Sequence, residues 1–437
     1  MNKTSAARAA SRSIAACLTA WVLSGASLAL AADPPLTLAE AQRLAVDRSQ
    51  LLKANDAAVS ASREMAVAAA QLPDPVATIG IDNLPVNGPD AWSLTSDFMT
   101  MRSVGVMQEF TRGEKRQARA ERFSREADKA EAERAARLAA LQRDTALAWL
   151  DRYYAEAQVA VLAEQRRQAR LEIEAAETAY RSGRGGLADV LAARGALIAL
   201  DDRASELARR ASTARIALAR WIGDGADAPL GPRPAMETLS MGPHTLEAEI
   251  GRHPEMTVLS REEDVAAAEV RIARANRQPD WSVQLMYSQR GPSFSNMISV
   301  NVAVPLPWDR ANRQDREVAA KLALLDQARA EREERLRAHA AEVRALLAEW
   351  QNDRERVARY EREILPLATE RTAATLAAYR GAKTALADVL AARRGEIEAR
   401  LQALQIEADA ARLWAQLNYL APADGESANP GHREVVQ

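Results

Sequence analysis

The residue types that could bind a metal or carry a reaction are few in this 437-residue chain. His244, His253, His339 and His432 are the four histidines, and their spacing builds no ligand cluster of the kind zinc requires. Cys17 is the only cysteine, so neither a disulfide framework nor an iron–sulfur or zinc cluster can be built from thiolates. Met99, Met101 and Met107 lie close together. Thioether sulfur suits soft ions such as Cu(I) or Ag(I), but ordinary packing along a strand is the favoured reading of these three, and no metal site is assigned to them. No nucleophile–base set, glycine-rich phosphate loop or metal-ligand motif occurs. The expectation is a protein that is not an enzyme and takes no cofactor.

Two aspartates stand out because their surroundings recur. Residues 180–194 read Tyr-Arg-Ser-Gly-Arg-Gly-Gly-Leu-Ala-Asp-Val-Leu-Ala-Ala-Arg. Residues 379–393 read Tyr-Arg-Gly-Ala-Lys-Thr-Ala-Leu-Ala-Asp-Val-Leu-Ala-Ala-Arg, identical at ten of fifteen positions without a gap. Asp189 and Asp388 hold the same place in each copy, just inside a restarting helix. A carboxylate there stabilises the first turn.

The chain must therefore be a duplication. Each half has Thr-Leu near its start (Thr37-Leu38, Thr245-Leu246), a Pro-Asp step (Pro73-Asp74, Pro279-Asp280), two strand-like runs, a long charged helical stretch, the shared motif and a closing helix. Repeat 1 spans 32–235, with strands at about 76–108 and long helices at about 112–222. Repeat 2 spans 236–420, with strands at about 281–304 and long helices at about 312–420. Gly223 to His244 is rich in Gly and Pro and joins the two. A polar tail, 421–437, follows.

The long helices, from about Arg112 to Tyr180 and Asn312 to Tyr379, would each reach on the order of 100 Å at 1.5 Å per residue. Helices of that length need partners. Leu147, Leu150, Tyr154, Ala157 and Val161 form a seam of three- and four-residue steps in the first. Val343, Leu346, Trp350, Val357, Tyr360, Ile364 and Leu367 do so in the second. Plentiful alanine lets neighbours approach on several sides, as in a wall of helices. An antiparallel helical hairpin satisfies the same pattern.

Trp281, Val283, Leu285 and Tyr287 alternate with Ser282, Gln284, Met286 and Ser288; Ile298, Val300, Val302 and Val304 alternate with Ser299, Asn301 and Ala303. Each run is a strand with one apolar and one mainly polar face. Val76 to Asp82 and Arg102 to Gln108 make a weaker pair. Two arrangements fit: a four-stranded sheet capping one end of a helical bundle, or a share of a barrel closed between chains with its apolar face toward lipid.

The first segment reads as an export signal. Lys3, Arg8 and Arg12 precede an uncharged run from Ser13 to Ala32 that ends in Ala29-Leu30-Ala31, a small-x-small cleavage pattern. Residues 1–31 are assigned as a cleaved signal peptide, with a retained membrane helix as the alternative. Cys17 lies too early in the apolar run for a lipoprotein box. Formal net charge is −2, and removing the three basic residues of the signal leaves −5, which gives no electrostatic reason to bind nucleic acid. Arginines interleaved with glutamates, as in Arg329-Ala-Glu-Arg-Glu-Glu-Arg, describe a solvated helix face.

With these residues in hand, the chain resembles the outer-membrane efflux channel family typified by TolC. The resemblance rests on the duplication, the Tyr-Arg…Leu-Ala-Asp-Val-Leu motif, the strand pairs entering long helices, and Ile364-Leu365-Pro366 ahead of Tyr379. It implies a mainly α chain with a small β part. The helical hairpins would form a periplasmic α-barrel, and four strands per chain would join a trimeric twelve-stranded transmembrane β-barrel. The implied partners are two further copies, outer-membrane lipid, a periplasmic adaptor (membrane fusion) protein and a proton-driven inner-membrane pump. The implied site residues are Tyr379, Asp189 and Asp388 at a periplasmic gate, with Ser182, Gly183, Arg184, Gly381, Ala382 and Lys383 in the turns that touch the adaptor. The sequence departs from the family at Ala382, where glycine is usual, at Ala391, where a second constriction acid falls, and at Thr384, in place of a gate arginine. The stretch from Asp97 to Phe110, with Arg112-Gly113-Glu114-Lys115 after it, is similar to the heavy-metal subgroup, which makes heavy-metal cations the implied cargo. The rival reading is a periplasmic coiled-coil scaffold or adaptor without a pore.

Overall fold

A computed structural model describes residues 35–381 and 383–422. The proposed signal segment with Cys17, then Ala382, and the tail from 423 with His432 lie outside the described residues.

Repeat 1 begins with α1 (Leu38–Arg48) and α2 (Gln50–Ala69). Thr37 Oγ1 accepts from the Glu40 amide and Ser49 Oγ from the Leu52 amide, so each helix starts where a hydroxyl satisfies a free backbone donor. Strands β1 (Val76–Asp82) and β2 (Met101–Phe110) lead into α3 (Gly113–Arg181), 69 residues without a break. The repeat closes with α4 (Leu187–Ile222). Repeat 2 runs α5 (Pro243–Ala248), α6 (Pro254–Ala275), β3 (Trp281–Gln289), β4 (Met297–Ala303), α7 (Gln314–Arg359), α8 (Leu365–Arg380) and α9 (Leu386–Asn418).

Between α7 and α8, Tyr360–Ile364 form a turn of π-helix. Pro366 follows after Leu365. Proline lacks the amide that would bond the Arg362 carbonyl, and its ring crowds that group. A wider turn relieves the clash and takes up an inserted residue. Arg116-Gln-Ala-Arg and Arg313-Gln-Asp-Arg also match, and repeat 2 carries two more residues than repeat 1 between this match and the tip motif.

The helices form a single wall. On the strand side of the waist the order is α2, α3, α6, α7; on the other side it is α4, α3, α9, α8. Alanines at 0–8% exposure, such as Ala127, Ala130, Ala139 and Ala146 on α3, let the axes come close. Ion pairs run between neighbours: Arg134 with Asp56 (2.7 Å), Lys321 with Glu269 (2.5 Å), and Arg412 with Asp151 (2.7 Å).

The core sits at the waist. Trp149, Leu150, Leu218, Leu246, Val343 and Trp414 meet there. The inter-repeat linker wraps this core: Leu36 bridges to Leu230, Trp149 Nε1 donates to the Leu36 carbonyl (3.1 Å), and Trp414 Nε1 donates to that of Thr238 (3.0 Å). The apolar seams hold at the waist and loosen away from it. Leu150, Tyr154, Val343 and Trp350 are buried, whereas Leu367, expected in the second seam, is 68% exposed. The π turn rotates it out of line.

The strands form one antiparallel sheet in the order β1-β2-β3-β4. Its register places Ile79, Val104, Tyr287 and Ile298 in one row across the sheet, and Ala77, Val106, Leu285 and Val300 in the next. The opposite face carries Thr78, Gly105, Met286 and Ser299. The sheet curls toward this polar face: Ser103 and Ser288 are 6% and 4% exposed, while Ile79 and Ile298 are 87% and 72% exposed. Gly105 permits the curl, since a Cβ there would lie 2.8 Å from the Leu285 carbonyl oxygen. No strand packs broadly against a helix. Among the described residues nothing covers the apolar face, and the arrangement in which the sheet caps the helical bundle is not the one adopted.

Candidate functional site

The two repeated motifs come together at the end of the wall farthest from the sheet. Ala176, Val190 and Ala193 of repeat 1 share a small core with Leu386 and Val389 of repeat 2, and the Tyr379 ring packs against it.

The first turn is a left-handed helix stop. Gly183 has φ +71°, the Arg184 amide donates to the Ala179 carbonyl (2.9 Å), and the Gly183 amide donates to that of Tyr180 (3.0 Å). This is the reciprocal pair that closes a helix when a glycine takes positive φ. Ser182 Oγ donates to the Ala179 carbonyl (3.0 Å) and accepts from Arg184 Nε (3.1 Å), which fixes the arginine at the tip. In the second turn the Lys383 amide makes the matching bond, to Ala378 (2.9 Å), and Gly381 has φ −83°. Arg184 and Lys383 are exposed, as are Arg181 and Arg380 one step earlier, so the tip is cationic.

Both aspartates cap their helices. Asp189 Oδ2 accepts from the Gly186 amide (3.0 Å), and Asp388 Oδ2 accepts from the Ala385 amide (3.2 Å) and from the Thr384 hydroxyl. The Thr384 hydroxyl, followed by the Ala385 amide, holds the Asp388 carboxyl below the usual carboxylate range. Thr384, where the family's gate arginine falls, thus serves the cap. Ala391 is exposed one turn beyond Asp388. The Tyr379 hydroxyl makes no hydrogen bond to Asp189 within the protomer.

Of the three clustered methionines, Met101 and Met107 lie on the polar face of β2, six residues and roughly 20 Å apart, too far to share one ion. Met99 is in the loop before it. The register adds Met286 and Met297 to the same face.

The fold also joins two histidines that sequence spacing had kept apart. His253 Nδ1 and His339 Nε2 are 2.8 Å apart and both rings are buried. Burial, then the neighbouring His339, holds His253 below its usual range. A separation of 86 positions leaves no local pattern to find. Among the described residues, no group of three or more His, Cys, Asp or Glu side chains could hold a metal ion.

A wall of helices continued by a curled four-stranded sheet is the protomer fold of the TolC-like outer-membrane channels. The sequence model of the outer membrane efflux protein family matches residues 245–421, and the resemblance to that family is borne out. Among solved structures, the outer-membrane channel OprN superposes with a TM-score of 0.74 at 18% identity, over 88% of this chain and 90% of that one. The outer membrane protein VceC from Vibrio cholerae gives 0.73 at 18%, over 88% and 95%. CusC, described as forming a transmembrane channel, gives 0.72 at 16%, over 88% and 92%. No curated protein matches by sequence.

Proposed function

We propose that three copies of this chain assemble in the outer membrane into an export channel. The sheets would close as a twelve-stranded barrel through the lipid, and the helical walls as a tunnel through the periplasm. The observation that carries this reading is the uncovered apolar face of the sheet, from Ile79 across Val104 and Leu285 to Val300, each at least 50% exposed. Lipid satisfies that face, and closure between chains satisfies the unpaired edges of β1 and β4. Nine residues of β3, tilted as barrel strands are, rise roughly 20 Å, close to the apolar band of such a barrel. Among the described residues no helix is long and apolar enough to cross a membrane, so this reading gives the membrane to the strands.

The channel itself does no chemistry. It is the passive exit duct of a tripartite system whose adaptor and proton-driven inner-membrane pump deliver the solute. The adaptor docks on the cationic turns through Ser182, Gly183, Arg184, Gly381, Ala382 and Lys383. Asp189, Asp388 and Tyr379 line the periplasmic gate, where the two capping carboxylates act as a cation-attracting ring. Heavy-metal cations are the proposed cargo; the thioethers of Met101, Met107, Met286 and Met297 on the polar face favour soft ions among them. A soluble scaffold would leave the apolar sheet face in water, which disfavours that alternative. Membrane fractionation tests the reading. A heat-modifiable trimer in the outer-membrane fraction is expected, and a soluble periplasmic single chain contradicts it.

A further inference from the structure

The duplication extends into the sheet, where it serves as a template for the joint between chains. Met101-Arg-Ser-Val-Gly-Val and Met297-Ile-Ser-Val-Asn-Val match at four of six positions, which aligns β2 with β4. The Pro-Asp steps align β1 with β3. The observed pairing verifies both alignments. Ala77 faces Val106, Ile79 faces Val104 and Ile81 faces Arg102 in the first hairpin; their counterparts Val283 and Val302, Leu285 and Val300, and Tyr287 and Ile298 face each other in the second. All seven pairs of one hairpin map onto the seven of the other.

One joint inside the chain, β2 with β3, links repeat 1 to repeat 2. Its counterpart would link β4 of repeat 2 to β1 of a repeat 1, which only another copy can supply. Mapping the observed pairs Val104–Tyr287, Val106–Leu285 and Gln108–Val283 through the same alignments fixes that register. Resting on the shared-barrel reading, we propose that β4 pairs antiparallel with β1 of a second copy, with Val300 opposite Ile81, Val302 opposite Ile79 and Val304 opposite Ala77.

Two further observations point to the same joint. β2 continues for three residues beyond its last partner in β1, and these pair with β3 alone. Their counterparts are Val304, Pro305 and Leu306, which lie exposed beyond the end of β4. The second copy supplies the partner this extension lacks. Charge fits as well. Asp280, at the step before β3, accepts from Lys115 Nζ (2.7 Å) and from the Arg112 amide (3.0 Å) at the β2–α3 joint. Asp74, at the same step before β1, has no hydrogen bond or ion pair among the described residues. Nor do the side chains of Arg313 and Arg316 at the β4–α7 joint. By the Arg116–Arg313 match the counterparts of Arg112 and Lys115 are Asp309 and Asn312, so that contact is not copied residue for residue; Arg316, the counterpart of Arg119, whose charge acts on Asp280, is the group that would face Asp74 of the next copy.

Paired cysteines in the full chain, in a Cys17→Ala background, test this. Directly opposed residues in an antiparallel pair are about 4.5–5.5 Å apart at Cα, within disulfide reach, and residues shifted by two are about 7–8 Å apart. Ile79→Cys with Val302→Cys should oxidise to a covalent trimer ladder at least about tenfold faster than Ile79→Cys with Val300→Cys. Ala77→Cys with Val304→Cys provides a second pair in the same register. A trimer by mass in detergent whose shifted pair cross-links faster, or in which neither in-register pair cross-links, overturns the register and leaves the barrel standing. A single chain by mass in detergent overturns the shared barrel and the register with it.

Discussion

The two repeats share one plan and sit in different surroundings. α3 lies inside the wall, flanked by α2 and α6 on one side of the waist and by α4 and α9 on the other. It runs unbroken and buries Trp149, Leu150 and Leu162 completely. The α7–α8 helix lies at the margin of the wall, contacts fewer helices, and carries the π turn ahead of Pro366. The central copy is constrained by neighbours in its own chain, whereas the marginal copy keeps surface that the described residues leave uncovered. Irregularity is tolerated where packing is incomplete. The strands repeat the contrast: the β2–β3 joint is complete within the chain, and the edges of β1 and β4 are not.

If the hairpins of both repeats face lipid equally, a charge on either should be equally harmful. Val104→Lys and Val300→Lys should each cost about 2–4 kcal/mol of barrel stability, read from trimer yield and from unfolding in detergent. Asn301→Lys, next to Val300 but on the polar face, should leave trimer yield near that of the unaltered chain. Damage from only one of the valines would break the equivalence of the repeats.

The turns should respond unequally. Gly183 holds φ +71°, which an alanine reaches only at a cost of about 1–2 kcal/mol, whereas Gly381 at φ −83° suits any residue. Gly183→Ala should therefore speed amide exchange at the end of α3. Gly381→Ala should leave exchange at the end of α8 unchanged or slower. Equal effects would show that the stops are held by packing rather than by backbone conformation.

The smallest effect concerns the histidine pair, which only repeat 2 possesses. His253 titrates below its ordinary value in the folded chain, so the unfolded chain binds the proton first as pH falls. Stability should be full above about pH 6.5 and decline as pH drops toward the lowered folded value. The nearby Glu249 and Glu255 moderate the shift. In His253→Gln the melting temperature should depend less on pH between about 6.5 and 5. An unchanged slope would show that other groups carry the acid sensitivity.

Much of this architecture is readable in the chain itself. The tip motif, the Pro-Asp steps and the alternation from Trp281 to Gln289 are local patterns, and local patterns determine helices, strands and turns. The capping roles of Asp189 and Asp388 follow from position alone. What escapes a linear reading depends on long-range placement, such as the contact of His253 with His339, the position of α3 inside the wall, and the exposure of Leu367. The Met-x-Ser-Val-x-Val match is a signal present in the sequence that reveals the β2–β4 equivalence. It is short and apolar, and its meaning emerges only once both hairpin registers are known. The side chains of Asp74, Arg313 and Arg316 make no hydrogen bond or ion pair among the described residues, so a linear reading assigns them no contact.

Conductance across a planar lipid bilayer tests the central claim most directly. Purified full chain, added at low concentration in detergent, should insert as discrete steps of equal conductance, with cations favoured over anions and the preference reduced in Asp388→Ala. A chain that partitions into lipid or stays in water, yet yields no steps at any concentration, would contradict the account.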